Sequence, residues 1–281
     1  MARIDSLSIL DEGGSAKDKL AEKYGPVLEN LQKTTISGIL KNTELSGDPS
    51  AGTVEAKRFA NAASKAYGTA RAAHKADQVK ANPVTVAINK DMELLEEIEE
   101  KDTKLYGVDN VINRRIASHG KSMERELERA FFQCAKDEGA DAALTKSEIN
   151  EKVEELIQKI ETVKNNYVDG VDRDMIAVVL DTKTYGDMRN FMDTTARNAS
   201  VDTAGREFGM FHGVKVYPSV YLPATVQMIG MVEGSIAEPV MTTIADPGKI
   251  QLSNAYGFGL FYSYGVKAVM PDLIFHVVAG G

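Results

Sequence analysis

The stretch from about Val108 to Lys136 constrains this chain more than any other. Val108, Val111, Ile112, Ile116, Met123, Leu127, Ala130, Phe131 and Cys134 recur at threes and fours, with Arg114, Glu124, Glu128 and Arg129 on the other side. At 1.5 Å per residue the pattern predicts one helix about 40 Å long. Few compact enzymes need so long a single helix, whereas an extended, flattened subunit does.

A chain of 281 residues can bury a substantial core, as one large domain or two smaller ones. No run approaches the roughly eighteen apolar residues that span a bilayer, so no membrane partner is expected. The opening "MARIDSLSILDEGG" has one arginine, a very short apolar patch and early acids, which makes a poor signal peptide. Synthesis and folding in a cytoplasm follow as the expectation. The one cysteine, Cys134, excludes an intramolecular disulfide framework and any multi-cysteine metal site. A formal net charge of -8 gives no general attraction to nucleic acid, although a container needs no affinity for its contents.

The first forty or so residues read as an arm. Leu20, Tyr24, Val27, Leu28 and Leu31 have roughly helical spacing, but Gly13-Gly14 and Gly25-Pro26 interrupt it. Such a segment needs a partner surface to order it. After the turn cluster "KNTELSGDPSAG", Thr53 to Phe59 and Val84 to Ile88 read as strands around an alanine-rich, polar, poorly amphipathic middle. That suggests an extended hairpin projecting from the body; a short surface helix between two strands is the alternative. Lys57, Arg58, Lys65, Arg71, Lys75 and Lys80 in this insert stand against only Glu55 and Asp77. "DMELLEEIEEKD" follows, with Asp91, Glu93, Glu96, Glu97, Glu99, Glu100 and Asp102 against Lys101. Intramolecular pairing, two poles of a repeating subunit contact and two solvated faces all remain open.

Beyond the long helix, Thr145 and Glu148 in "LTKSEI" form a capping-box pattern ahead of Ile149, Val153, Leu156, Ile157 and Ile160. "MIAVVL" (Met175 to Leu180) reads as a buried strand. "DTKTYGDMRNFMD" reads as a short helix that Asp181 could cap, with Tyr185, Met188 and Met192 facing in. Strands are expected at Gly213 to Tyr217, Thr225 to Val232, Lys249 to Ser253, Phe258 to Val269 and Leu273 to Val278. Helices mostly first and strands mostly later indicate an α+β fold without regular βαβ alternation.

Chemistry is hard to find. His74, His119, His212 and His276 are scattered, and none lies at metal-ligand spacing from another. His119 falls on or near the apolar stripe and reads as a satisfied structural histidine; Cys134, on the same stripe, reads as a small core residue. "SHGKS" resembles the end of a phosphate loop, but Arg115 stands where the first glycine is required, and the match falls inside a helix. The carboxylates of "LLEEIEEKD" would need burial to separate their pKa values before doing acid–base work. No catalytic residue, cofactor site or metal site is expected, and the chain does not read as an enzyme.

The order of the pieces carries a resemblance. A polar arm, a projecting hairpin, an acidic segment and one long helix precede "MIAVVLDTKTYGDMRNFMD", "GREFGMFHGVKVYPSVYLP" and a strand-rich end. This resembles the major capsid proteins of tailed bacteriophages, which share the Hong Kong 97-type fold. The likeness covers nearly the whole chain. It is most specific in the strand-then-"DTKTYGDM" unit and in "FHGVKVYPSVYLP", similar to the family's glycine, strand, small residue, leucine-proline pattern.

The resemblance implies an N-terminal arm over residues 1–44, an extended loop over 45–89, and a peripheral domain with the spine helix over 90–142. An axial domain over 143–249 and a return to the peripheral domain over 250–281 would complete it. The loop would lie over a neighbouring subunit, so Lys57, Arg58, Lys65, Arg71, Lys75 and Lys80 on one copy would face Glu93, Glu96, Glu97 and Glu100 on the next. Reversing Arg58 and Arg71 to glutamate is then expected to impair assembly more than folding, because the loop has no core to lose. The implied function is the icosahedral head shell, built from pentamers and hexamers of the chain itself and enclosing double-stranded DNA without sequence-specific binding. The implied location is the virion, after assembly in the host cytoplasm. With about forty residues before the loop, scaffolding is expected from a separate protein, alongside a portal. Some relatives crosslink a loop lysine to a neighbour's asparagine; Lys57, Lys65, Lys75 and Lys80 match by type only, and no crosslink is predicted. An encapsulin-like nanocompartment shares the fold, and the long polar arm and lack of tryptophan speak mildly against it. A phage tail component is disfavoured by the long helix, and an enzyme would need a co-purifying cofactor.

Overall fold

The computed structural model describes residues 36–62, 64–69, 79, 81–99, 108–195, 209–251 and 253–279. Leu20, Tyr24, Val27, Leu28 and Leu31 of the expected arm lie outside the described residues. The elements are α1 (Ile36–Leu40), β1 (Thr53–Phe59), β2 (Ala81–Ala87), β3 (Lys90–Glu99), α2 (Val108–Glu138), β4 (Ala140–Asp141), α3 (Ile149–Glu161) and β5 (Ile176–Asp181). There follow α4 (Thr182–Thr195), β6 (Met210–Phe211), β7 (Val214–Ser219), β8 (Val226–Val232), β9 (Ile236–Ala237), β10 (Val240–Lys249), β11 (Ala255–Tyr264), β12 (Lys267–Ala268) and β13 (Ile274–Val278). This is the α+β class expected. The described residues form two units, one from 36–39, 88–128 and 239–265, the other from 40–87, 129–238 and 266–279.

The first unit is built on the antiparallel sheet β10–β11–β3. Its central strand, β11, turns Phe258, Leu260, Tyr262 and Tyr264 to a buried face. There the hydroxyls of Tyr262 and Tyr264 each donate to Glu126 of α2 at 3.0 Å. Gly259 is required: a β-carbon there would strike the side chain of Leu95 and the carbonyl of Leu94 on β3. Two strand expectations need correction. Lys249 to Ser253 is not a strand: Lys249 ends β10, and residues 250, 251, 253 and 254 lie in no strand before β11 begins. The "ADPGK" turn signal hid β10, which carries it as an irregularity, the register with β11 shifting between Ala245 and Gly248. The single strand expected over Phe258 to Val269 is two, because Gly265 and Val266 break the run between β11 and β12.

The second unit is built on a six-stranded mixed sheet in the order β4–β13–β8–β5–β7–β6. β5 runs parallel to β7 and antiparallel to β8, and all five residues from Ile176 to Leu180 are inaccessible. A strand buried on both faces reads as the continuous apolar run "IAVVL"; Met175, expected in the same strand, lies in the turn before β5 and is 51% exposed. Val153, Leu156, Ile157 and Ile160 of α3 and Met188 and Met192 of α4 share a core with Ile176, Val178 and Leu180. Gly230 on β8 permits this packing, since a β-carbon there would press into Ile160 and Leu156 of α3. Asp181 caps α4 as expected, accepting from the Thr184 N–H at 2.8 Å. The capping box at Thr145 does not form. Glu148 is the N-cap and makes no side-chain cap bond. Instead the Glu155 carboxylate, two turns further into α3, accepts from the N–H groups of Thr145 and Lys146 and from the Thr145 hydroxyl.

α2 extends over 31 residues, about 46 Å at the helical rise. Met123, Leu127, Phe131 and Cys134 are buried as the spacing predicted, together with Phe132 and Ala135. Glu128, expected on the solvent side, is 3% exposed. It lies three and four residues before Phe131 and Phe132, so it shares their face.

Candidate assembly surfaces

β1 and β2 pair antiparallel from Thr53↔Ala87 to Phe59↔Ala81, forming the expected hairpin. Its base does have an apolar face, contrary to expectation. Val54, Ala56 and Val86 pack with Ala237 of β9 and with Val269, while the intervening side chains Thr53, Glu55 and Lys57 are exposed. Further out that burial ends. Phe59 is 56% exposed, and Tyr67 and Val79 are more so; Lys57 and Lys65 are exposed as well. The described outer hairpin thus combines positive charge with exposed apolar side chains. Arg71, Lys75 and Lys80 lie outside the described residues. Arg58 is engaged within the chain, its guanidinium bidentate to Asp272 at 2.5 and 2.8 Å. Burial alone would raise the Asp272 carboxyl, but the bonds from Arg58 and Asn165 outweigh it and hold the carboxyl below its usual range.

The acidic stretch is β3, an edge strand paired with β11 along its whole length. The register sorts its charges. Lys90, Met92, Leu94 and Glu96 stand opposite Tyr264, Tyr262, Leu260 and Phe258, on the buried-face side of the sheet. Asp91, Glu93, Leu95 and Glu97 stand opposite Ser263, Phe261, Gly259 and Gly257, on the other face. That outer face is exposed, Leu95 by 54% and Phe261 by 38%, with Glu93 and Glu97 beside them. It joins negative charge to exposed apolar groups, the complement of the outer hairpin. Glu96 is separated from its neighbours: it pairs with Arg115 of α2 and lies 3.3 Å from Nε2 of His119. Glu100 lies outside the described residues.

His119 is buried and stacks on Phe258 with ring centroids 5.6 Å apart. Burial, and then the Arg115 charge, lower its pKa, so the imidazole is held neutral. Its Nδ1 has no hydrogen-bond partner among the described residues, so the histidine is structural but only partly satisfied. Cys134 is a core residue, its thiol pushed up to about 12, chiefly by burial. The "SHGKS" residues lie within α2.

Two further acid clusters were not legible. Glu128 accepts from the backbone N–H of Ser37 at 3.1 Å, tying α1 to α2, and burial raises its pKa. Its place on the apolar face was the available signal. In the second unit, Arg173 bridges Glu154 and Glu161 of α3 at 2.6 and 2.7 Å, and His212 Nδ1 lies 2.8 Å from Glu154. The bonds from Arg173, against the opposing effect of burial, leave Glu154 with a pKa of about 2. His212 and Gly213, with φ of 48° and 90°, make the turn between β6 and β7, so this cluster pins that turn to α3. Among the described residues no group of three or more His, Cys, Asp or Glu could hold a metal ion.

No protein-family model and no curated protein matches the sequence. Solved structures do match. One from Mycobacterium phage Che8 superposes with a TM-score of 0.63 at 17% identity, over 87% of this chain and 91% of that one. The capsid structure of the cyanophage P-SCSP1u gives 0.62 at 11% identity, over 87% and 88%. A virus-like particle from Pyrococcus furiosus gives 0.56 at 10% identity, over 91% and 97%. What such distant sequences share is the fold, and this chain has the α+β fold of tailed-phage capsid subunits.

Proposed function

We propose that the chain is a major capsid protein that assembles, in pentamers and hexamers of itself, into an icosahedral head shell around double-stranded DNA. The observation that carries this is likeness along most of both chains: 87% of this chain aligns with 88% of a phage capsid structure. The two surfaces supply a means. A basic, apolar hairpin on one copy laid on the acidic, apolar face of β3 and β11 on the next is a heterologous contact, the kind that repeats into rings. Lys57 and Lys65 are its described cations, and Glu93 and Glu97 its described anions; Arg71, Lys75, Lys80 and Glu100 extend both sets.

In this reading residues 1–44 are the arm, 45–89 the extended loop, 90–142 the peripheral domain with the spine helix, 143–249 the axial domain and 250–281 a return to the peripheral domain. DNA is enclosed without being read, a separate scaffolding protein and a portal assist, and the finished protein resides in the virion after assembly in the host cytoplasm.

The likeness to the Pyrococcus furiosus virus-like particle supports a second reading, a shell that is not a phage head. Electron microscopy of the protein co-expressed with its neighbouring genes, with the contents assayed, separates the two. Closed shells that are empty or hold scaffold or DNA are expected. Shells filled with one enzyme would favour the second reading, and a 30.5 kDa species with no particles would contradict both.

A further inference from the structure

Arg58 and Asn82 are cross-strand partners, Arg58 on β1 and Asn82 on β2. Both reach the same turn of the second unit, between α3 and β5. The Arg58 guanidinium lies over the Tyr167 ring, 4.5 Å from its centroid, and Asn82 Nδ2 donates to the Tyr167 hydroxyl at 2.5 Å. Asp272, which receives the Arg58 fork, also accepts from Asn165 Nδ2 at 2.5 Å. Asn165 in turn orders the turn, its Oδ1 accepting from the N–H groups of Tyr167 and Val168 at 2.8 and 2.9 Å. Three residues past Arg58, the Asn61 N–H donates to the Asn166 carbonyl at 2.9 Å. Around these contacts the hairpin and the turn stand apart, across an open cleft of about 530 Å³ that Asn61 and Asn82 line from one side and Lys164 and Asp169 from the other.

The base of the hairpin is therefore held by apolar packing, and next to it the described residues add this polar clamp and the Asn61–Asn166 bond. We propose that Arg58, Asp272, Asn165, Tyr167 and Asn82 form a latch that fixes the direction in which the outer hairpin leaves the subunit. A bidentate arginine fork is directional, and stacking on Tyr167 fixes its plane, so the latch sets orientation as well as attachment. An arm already pointing one way loses less freedom on meeting a neighbour, and association gains by the cost avoided. The importance of the latch for assembly rests on the capsid reading; its existence does not.

Amide hydrogen exchange on the full-length, unassembled subunit tests the latch directly. Asp272→Ala and Tyr167→Ala should each speed exchange in residues 57–62, 81 and 82 about tenfold, leaving β5 and β8 protected. Exchanging the charges, Arg58→Asp with Asp272→Arg, should restore protection. If Asp272→Ala loosens the whole chain, Tyr167→Ala decides, since it leaves no buried charge without its counter-ion. Unchanged exchange in the outer hairpin of Tyr167→Ala would overturn the latch. Where the wild type forms particles, the same variants should assemble several-fold more slowly, and assembly at the wild-type rate despite a loosened hairpin would overturn its role in preorganisation. A wild type that forms no particles contradicts the capsid reading and leaves the exchange result standing.

Discussion

The six-stranded sheet and the hairpin are held in opposite ways. β5 is surrounded by its own chain: Ile176, Val178 and Leu180 are inaccessible and share one core with two helices. The hairpin keeps Val54, Ala56 and Val86 covered at its base and leaves Phe59, Tyr67 and Val79 in solvent further out. The sheet buries its apolar side chains within one chain, whereas Phe59, Tyr67 and Val79 of the outer hairpin are exposed and are what the proposed contact with a neighbour would cover.

Truncating the sheet should produce the largest effect. Leu180→Ala removes a fully buried side chain and should cost about 3 kcal/mol, read by urea denaturation of the subunit, with assembly lost only because folding is lost. At the hairpin the two effects should separate. Phe59→Ser should change subunit stability by no more than about 0.5 kcal/mol, while reducing particle yield several-fold by light scattering. The pair Glu93→Lys and Glu97→Lys should do the same from the other side of the proposed contact. Arg58→Glu no longer belongs in that class: it leaves Asp272 facing a second carboxylate, so it should loosen the subunit's own hairpin as well as impair assembly.

Acid should act on the Glu154–Arg173 cluster before it acts on the hairpin's apolar base. Glu154 titrates near 2 when folded, below its ordinary value of 4.5, so its contribution is complete above about pH 4.5 and is lost as the pH falls toward 2. Glu154→Gln should flatten that part of the stability profile. Glu128 has the opposite sign. Its raised pKa means that the folded state favours the protonated acid, so stability falls as pH rises from 4.5 through the folded value. Glu128→Gln keeps an acceptor for the Ser37 N–H and should raise neutral-pH stability, read by urea denaturation of the subunit.

What could be read from the sequence was local. "MIAVVL" announced a buried strand by its unbroken apolar run, Asp181 announced its helix by capping chemistry, and the long helix announced itself by spacing. β3 was half legible: Met92, Leu94 and Ile98 alternate with Asp91, Glu93 and Glu97, but the density of charge obscured the period of two. The latch was not legible, because Arg58 and Asp272 are 214 residues apart and neither stands in a motif. The unformed capping box shows the same limit: Glu155 captured the N–H of Thr145, and only the folded geometry of α3 brings that carboxylate within reach.

The most direct test of the proposed contact is zero-length carbodiimide crosslinking of particles assembled from an equal mixture of nitrogen-14 and nitrogen-15 subunits, analysed by mass spectrometry. The account predicts links between Lys57 or Lys65 and Glu93 or Glu97 that join light to heavy peptides as often as random mixing allows. Particles in which those residues link only within one isotope, or in which the hairpin lysines link to other acids and never to β3, would contradict it.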